Sequence, residues 1–248
     1  MSSISQYFST FNITSTYNNN KFTYTWIDET IVNVNFPDGY YSLVDINTYL
    51  EYVMITNFHY MISSTGAYIY FLQLQTNQTY YGVQLYSYQL SSTIQAANNW
   101  TKPTSATWTM PSVSTVPQFT FPVNDFYKLV GFSQNYTYPL AQTGYTTTQT
   151  IISPIAPQIT PYTSFLLYCS VVMNNTVIPN NLIFSYTPTN VNFGELQLYQ
   201  PPVIGFNKIP DGNYRSLEIS MSDQNLNSVV FQDPATTIIL LIRDSTDL

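Results

Sequence analysis

The side chains of this chain best suited to chemistry are a single histidine, His59, a single cysteine, Cys169, and a scatter of carboxylates. A serine or cysteine nucleophile needs a base to take its proton, so His59, in the stretch ITNFHYMIS, would have to stand beside one. The local contexts do not support this. No G-x-S-x-G elbow occurs, and Cys169 sits in the apolar run SFLLYCSVVM, where a buried and inert thiol is expected. Glycoside hydrolysis needs two carboxyl groups flanking one bond, and Asp125, Glu195, Asp211, Glu218 and Asp223 are candidates that could meet in space. Asp125, Asp211 and Asp223 read as turn or cap residues, whereas Glu195 and Glu218 alternate with apolar neighbours as solvent-facing strand positions do. One histidine and one cysteine exclude multi-His and Cys-rich metal centres, and GxGxxG, P-loop, HExxH and EF-hand patterns are absent. The expectation is a protein that is not an enzyme, with no catalytic residue, no cofactor and no metal ligand.

Composition narrows the function classes further. Charged residues make up 8% of the 248-residue chain, aromatics 17%, and the formal net charge is -7. A surface built this way is polar but mostly uncharged. With six basic residues against thirteen acidic ones and no basic run, direct nucleic-acid binding is not expected. No stretch reaches the roughly 18 to 20 apolar residues of a membrane span, and MSSISQYFSTFNIT lacks the features of a signal peptide. N-x-[ST] triplets occur at Asn12, Asn77, Asn99, Asn135 and Asn174, but a chain this rich in Asn, Ser and Thr produces them by chance.

The elements that position these residues are mainly strands. About ten segments carry period-2 patterning, among them TIVNVNF, YIYFLQLQTN, YGVQLYSYQL, ELQLYQ and TTIILLIRD, and all-β with antiparallel pairing follows. Mixed apolar and wet faces, as in TIVNVNF, suit a two-sheet sandwich. Against this background PDGYYSLVDINTYLEYV signals one helix. Ser42 and Asp45 form a capping box, and Ile46, Tyr49, Leu50, Val53 and Met54 make one apolar stripe that must cover an end or flank of the sandwich. NDFYKLVGF predicts a second, shorter turn of helix, with Phe126, Leu129 and Val130 inward and Gly131 ending it. Residues 91–118 and 133–162, rich in Thr, Ser, Pro and Asn, read as long loops. PDGYYSLVDI and PDGNYRSLEI share turn chemistry but diverge afterwards, the first into helical spacing and the second into strand spacing.

Tyr-rich segments such as NQTYYGVQLYSYQL suit either a carbohydrate platform or a protein interface, because tyrosine offers large area at low entropy cost with a polar tip. The order of the blocks resembles the jelly-roll minor capsid (penton) proteins of Polinton-like viruses, virophages and related double-stranded DNA viruses. The pieces that carry it are PDGYYSLVDINTYLEYV, YIYFLQLQTN, NDFYKLVGF, SFLLYCSVVMNN, FGELQLYQPPV and DGNYRSLEISMSDQNLNSVVFQDPATTIILLIRD. The last holds a closing strand pair in which a D-x-N turn leads to a strand ending Ile242-Arg243. The resemblance implies a virion structural protein: a homopentamer closing the fivefold vertices of an icosahedral capsid, with major capsid protein as neighbour. It implies a single jelly roll over residues 1–248, since a double roll would need roughly sixteen strands. The long loops would then face outward or toward neighbours. A major capsid protein of the same virus class, a carbohydrate-binding β-sandwich supported by Trp100 and Trp108, and a jelly-roll glycosidase are the alternatives.

Overall fold

A computed structural model describes residues 1–160, 162–189 and 191–244. Strand β1 (Ser3–Tyr7) is followed by β2 (Lys21–Thr25), β3 (Ile31–Asn35), helix α1 (Leu43–Thr56), β4 (Met61–Ile62) and β5 (Tyr68–Ile69). Next come β6 (Leu72–Asn77), β7 (Gly82–Ser87), α2 (Ser92–Asn98), β8 (Gln118–Phe121), α3 (Phe126–Val130), β9 (Tyr136–Tyr138) and β10 (Gln149–Ile152). The chain closes with β11 (Phe165–Cys169), β12 (Leu182–Tyr186), β13 (Leu196–Tyr199), β14 (Ile219–Asp223) and β15 (Thr236–Ile239). Every strand pairing is antiparallel, so the all-β class holds.

Fifteen strands form among the described residues, not about ten, so strand number does not separate a single roll from a double one. YIYFLQLQTN splits into β5 and β6, and β1, β4, β9 and β10 lie in stretches read as loops or left unread. The long loop expected at 91–118 opens with α2, and that expected at 133–162 contains β9 and β10. Short polar strands such as QTII are stabilised by partners distant in sequence: β10 pairs with β7, Ile151 opposite Leu85. That support is invisible in a local window. The closing strand pair is also corrected. β14 pairs with β11, β15 pairs with β1, and β15 stops at Ile239, short of Arg243.

Two compact units result, Met1–Phe11 with Thr160–Leu248, and Asn12–Ile159. The first, unit 1, is made by the two ends of the chain. Its sheets run β13-β1-β15 and β12-β11-β14. They face each other through Gln6, whose amide donates to the Tyr186 hydroxyl, and through the Tyr199 ring, 5.2 Å from Phe184 and 5.5 Å from Tyr186.

Unit 2 is the contiguous middle segment, with sheets β3-β2-β8-β9 and β10-β7-β6 and the β4-β5 hairpin. Its core is aromatic: Phe22 stacks on Phe119 at 4.2 Å and leans on Phe126 at 5.0 Å, and Phe121 stacks on Phe132 at 5.0 Å. Helix α1 closes one flank of this core, as its stripe requires. Leu43, Ile46, Leu50 and Met54 are buried, with Tyr49 and Val53 packed against the same cluster. Asn47 Oδ1 accepts the Leu74 N–H of β6 at 2.9 Å, satisfying a donor at a sheet edge, and the Tyr49 hydroxyl donates to the Asn35 carbonyl at 2.7 Å. The helix starts at a complete capping box: Asp45 N–H donates to Ser42 Oγ at 3.2 Å, and Ser42 N–H donates to Asp45 Oδ2 at 2.9 Å. Ser42→Ala is expected to cost about 1 kcal/mol, read as a lower urea midpoint by tryptophan fluorescence. An unchanged midpoint would mean that tertiary packing alone sets where the helix begins.

The predicted end of α3 is also observed. Gly131 adopts φ +77°, and a Cβ there would lie 2.2 Å from the Ile155 carbonyl oxygen, so both conformation and space demand glycine. The two PDG turns share one further detail. Tyr41 donates to the Pro37 carbonyl at 3.0 Å and Tyr214 to the Pro210 carbonyl at 2.6 Å, after which the first leads into α1 and the second toward β14.

Candidate interaction surface

The residues singled out for chemistry are divided between the two units. His59 belongs to unit 2, and Cys169, buried on β11, to unit 1. His59 is 5% exposed, its ring stacked on Trp26 at 4.8 Å, with Nδ1 hydrogen-bonded to the Tyr24 hydroxyl at 2.9 Å. Burial pulls its imidazole down from 6.5 to about 4, against the opposing pull of the Asp28 carboxylate. It is therefore neutral near pH 7, and the Tyr24 phenol, pushed upward by burial, stays protonated. This arrangement fills a core: neither ring nitrogen meets a serine, cysteine or carboxylate hydrogen-bond partner among the described residues.

The carboxylates divide in the same way. Asp125 precedes α3 in unit 2 and pairs with Lys128 at 2.9 Å; the other four lie in unit 1. Asp223 is the buried last residue of β14 and caps the turn that follows, accepting the N–H groups of Asn225 and Asn227, each at 2.8 Å. Glu195 is not a strand residue. It sits in the turn before β13 and accepts from Asn192 through both backbone and side chain, which holds its carboxyl below the usual range. Glu218, just before β14, and Asp211, in the second PDG turn, are exposed. No group of three or more His, Cys, Asp or Glu able to hold a metal occurs among the described residues. Asn12, one of the sequon asparagines, is buried, with its amide donating to the Tyr41 and Ile159 carbonyls at 2.7 Å. Trp108 is buried, donating Nε1–H to the Phe58 carbonyl at 2.7 Å, whereas Trp100 is half-buried.

The feature that stands out in unit 1 is one face of the β13-β1-β15 sheet. Register places Leu198 opposite Ser5, Leu196 opposite Tyr7 and Ile239 opposite Ser3, so these six share one face. Leu196, Leu198 and Ile239 are 58%, 63% and 50% exposed. Local patterning reads ELQLYQ the other way round, leucines in and glutamine out. The inversion has a physical cause. Gln197 and Tyr199 lie on the same face as Ile4 and Gln6, where the Tyr199 ring packs on Phe184 and Tyr186 and the Gln6 amide donates to the Tyr186 phenol, although the buried Oε1 atoms of Gln6 and Gln197 meet no hydrogen-bond partner among the described residues. The leucines are left outside. β13 and β15 are also the two edges of that sheet, each with a row of backbone groups not engaged by another described strand.

No family model, no curated protein and no solved structure gives a significant match to this chain.

Proposed function

We propose that the protein is a structural component of a virion, a penton that closes icosahedral fivefold vertices as a homopentamer against major capsid protein, its sandwich a variant of the jelly roll. The observation that carries this reading is the pair of exposed apolar edges on one face of the β13-β1-β15 sheet, Leu196 and Leu198 on one edge strand and Ile239 on the other, with Ser3, Ser5 and Tyr7 of β1 between them. Exposed apolar residues gathered on one face mark a surface meant to be covered. A closed ring repeats one heterologous contact, so two different flanks of each copy must complement each other. Opposite edges of one sheet supply such a pair of flanks: β13 of one copy beside β15 of the next would continue the sheet from subunit to subunit. With charged residues at 8% of the chain, few ions would be desolvated in that contact. Residues 136–160 contribute β9 and β10 to unit 2, so an outer or neighbour-facing role for them is confined to the segments between the strands.

The test is the mass of the purified protein by light scattering, with negative-stain imaging of the eluted species. A pentameric ring is expected, and Leu198→Asp, which puts a carboxylate in the apolar contact, is expected to dissociate it to monomer while leaving the strand circular dichroism intact. A trimer would favour the major capsid role. A monomer at every soluble concentration would remove the self-contact.

A further inference from the structure

Unit 2 holds a cleft of about 460 Å³ whose wall is aromatic and whose polar groups are all uncharged. Tyr68, Tyr70, Tyr88 and Trp100 line it together with Gln73 and Gln89, and the volume falls within the roughly 300–1,000 Å³ of small-molecule sites. We propose that this cleft binds a neutral glycan, with aromatic faces against sugar C–H surfaces and the two glutamine amides on sugar hydroxyls. The assignment concerns unit 2 alone and stands whether or not unit 1 builds a capsid ring.

Three observations carry it. First, the wall is held in place before any ligand arrives. Trp100, just past the end of α2, exchanges backbone and side-chain bonds with Gln95 in the middle of that helix, its N–H donating to the Gln95 carbonyl at 3.1 Å and its carbonyl accepting from Gln95 Nε2 at 3.2 Å. The next residue, Thr101, forms a two-way backbone bridge with Ile62, each bond 2.8 Å, and the indole rests edge-on against buried Phe71 at 5.8 Å and 77°. A preorganised aromatic wall binds without paying the ordering entropy of a mobile side chain.

Second, donors remain free beside that wall. Gln73 Oε1 accepts from Tyr88 Oη at 3.4 Å, and Gln89 Oε1 accepts from Ser114 Oγ at 3.0 Å, which orients both amides. Their Nε2 groups, the Tyr70 hydroxyl and the Trp100 Nε1–H make no hydrogen bond to a protein acceptor among the described residues. An amide fixed through its oxygen and free at its nitrogen is a donor for a vicinal hydroxyl, and a phenol both donates and accepts. A purely apolar ligand would leave these groups unpaired.

Third, the charge pattern selects among ligands. No Asp, Glu, Lys, Arg or His lines the cleft, so no cation is there to hold a phosphate, sulfate or carboxylate. Glu51 lies close enough to Tyr70 to act on its phenol, and the chain carries a net charge of -7. Sialylated and sulfated glycans are therefore disfavoured. Proline-rich peptides also dock on aromatic grooves, but they are read mainly by ring stacking along an extended track. The two glutamine amides here fit hydroxyl-bearing rings better.

The experiment is to screen the full chain against immobilised neutral, sialylated and sulfated oligosaccharides and a proline-rich peptide, then to titrate the best neutral glycan by calorimetry. Binding to a neutral glycan is expected, with at least tenfold weaker binding for Trp100→Ala. Gln89→Ala, which leaves the aromatic wall intact, is expected to weaken binding severalfold; it keeps the test decisive should the tryptophan variant fail to fold. Three results would each overturn the assignment: no neutral-glycan binding at millimolar ligand by the folded protein, preference for an anionic glycan or the peptide, or unchanged affinity in the folded glutamine variant.

Discussion

Phe22→Ala is expected to lower the stability of unit 2 by about 3–5 kcal/mol, a large part of the roughly 5–15 kcal/mol that holds a domain folded. Phe22 is 1% exposed and sits where three elements meet: on β2, stacked on Phe119 of β8 at 4.2 Å, with the rings of Phe126 of α3 at 5.0 Å and Phe36 beyond β3 at 5.8 Å tilted against it. Truncation removes the ring's transfer energy and leaves a cavity that rigid aromatic neighbours cannot refill. The measurement is convenient because Trp26, Trp100 and Trp108, the chain's three tryptophans, all lie in unit 2. Their fluorescence during urea unfolding reports that unit without interference from unit 1. A loss below 1 kcal/mol would mean that the ring cluster repacks freely and does not form the centre of the core.

Acidification from pH 7 to 4 is expected to destabilise the same unit by roughly 3 kcal/mol through His59. Its folded pKa, about 4, lies below the ordinary 6.5, because burial against Trp26 and Tyr24 penalises the imidazolium. Between those values the unfolded chain binds the proton and the folded chain does not, so stability is constant above pH 6.5 and falls as the pH drops toward 4. Glu51 acts in the opposite direction, since burial raises its folded pKa, but it is half-exposed and its effect is smaller. Asp38 is held below the usual carboxylate range by the Ser15 N–H and the Thr14 hydroxyl, so it adds its own loss only at more acid pH. Urea midpoints from pH 7 to 4 check this. In His59→Gln, which keeps a polar group beside Tyr24, the slope between pH 6.5 and 4 is expected to flatten; a slope identical to the wild type would assign the acid sensitivity to other groups.

The inventory of reactive side chains and the surface reading have different origins in the sequence. Which side chains were available for chemistry is a matter of counting, and one histidine, one cysteine and few charges are visible without any fold. Which way a side chain points is not. Leu196 and Leu198 follow a strand alternation that any local reading turns inward, and only the pairing of β13 with β1 puts Gln197 and Tyr199 on the inner layer instead. The aromatic cleft has the same origin: Tyr70, Tyr88 and Trp100 are ordinary members of a Tyr-rich sequence until the β5–β6 connection, the end of β7 and the segment after α2 bring them to one wall.

The sequence by itself determined the antiparallel all-β class, the capping box and apolar stripe of α1, the end of α3 at Gly131 and the uncharged character of the surface. Each of these is written in residues within a few positions of one another, where backbone hydrogen bonding, side-chain periodicity and steric limits on φ act directly. Only the tertiary structure decided that β1 joins β13 and β15, that Met1–Phe11 and Thr160–Leu248 form one unit while Asn12–Ile159 forms another with its own core, and that His59 is sealed between Trp26 and Tyr24. Those outcomes join residues as far apart as Ile4 and Ile238. A five-residue polar strand has no local preference strong enough to choose its partner, so the choice falls to the packing energy of the whole layer.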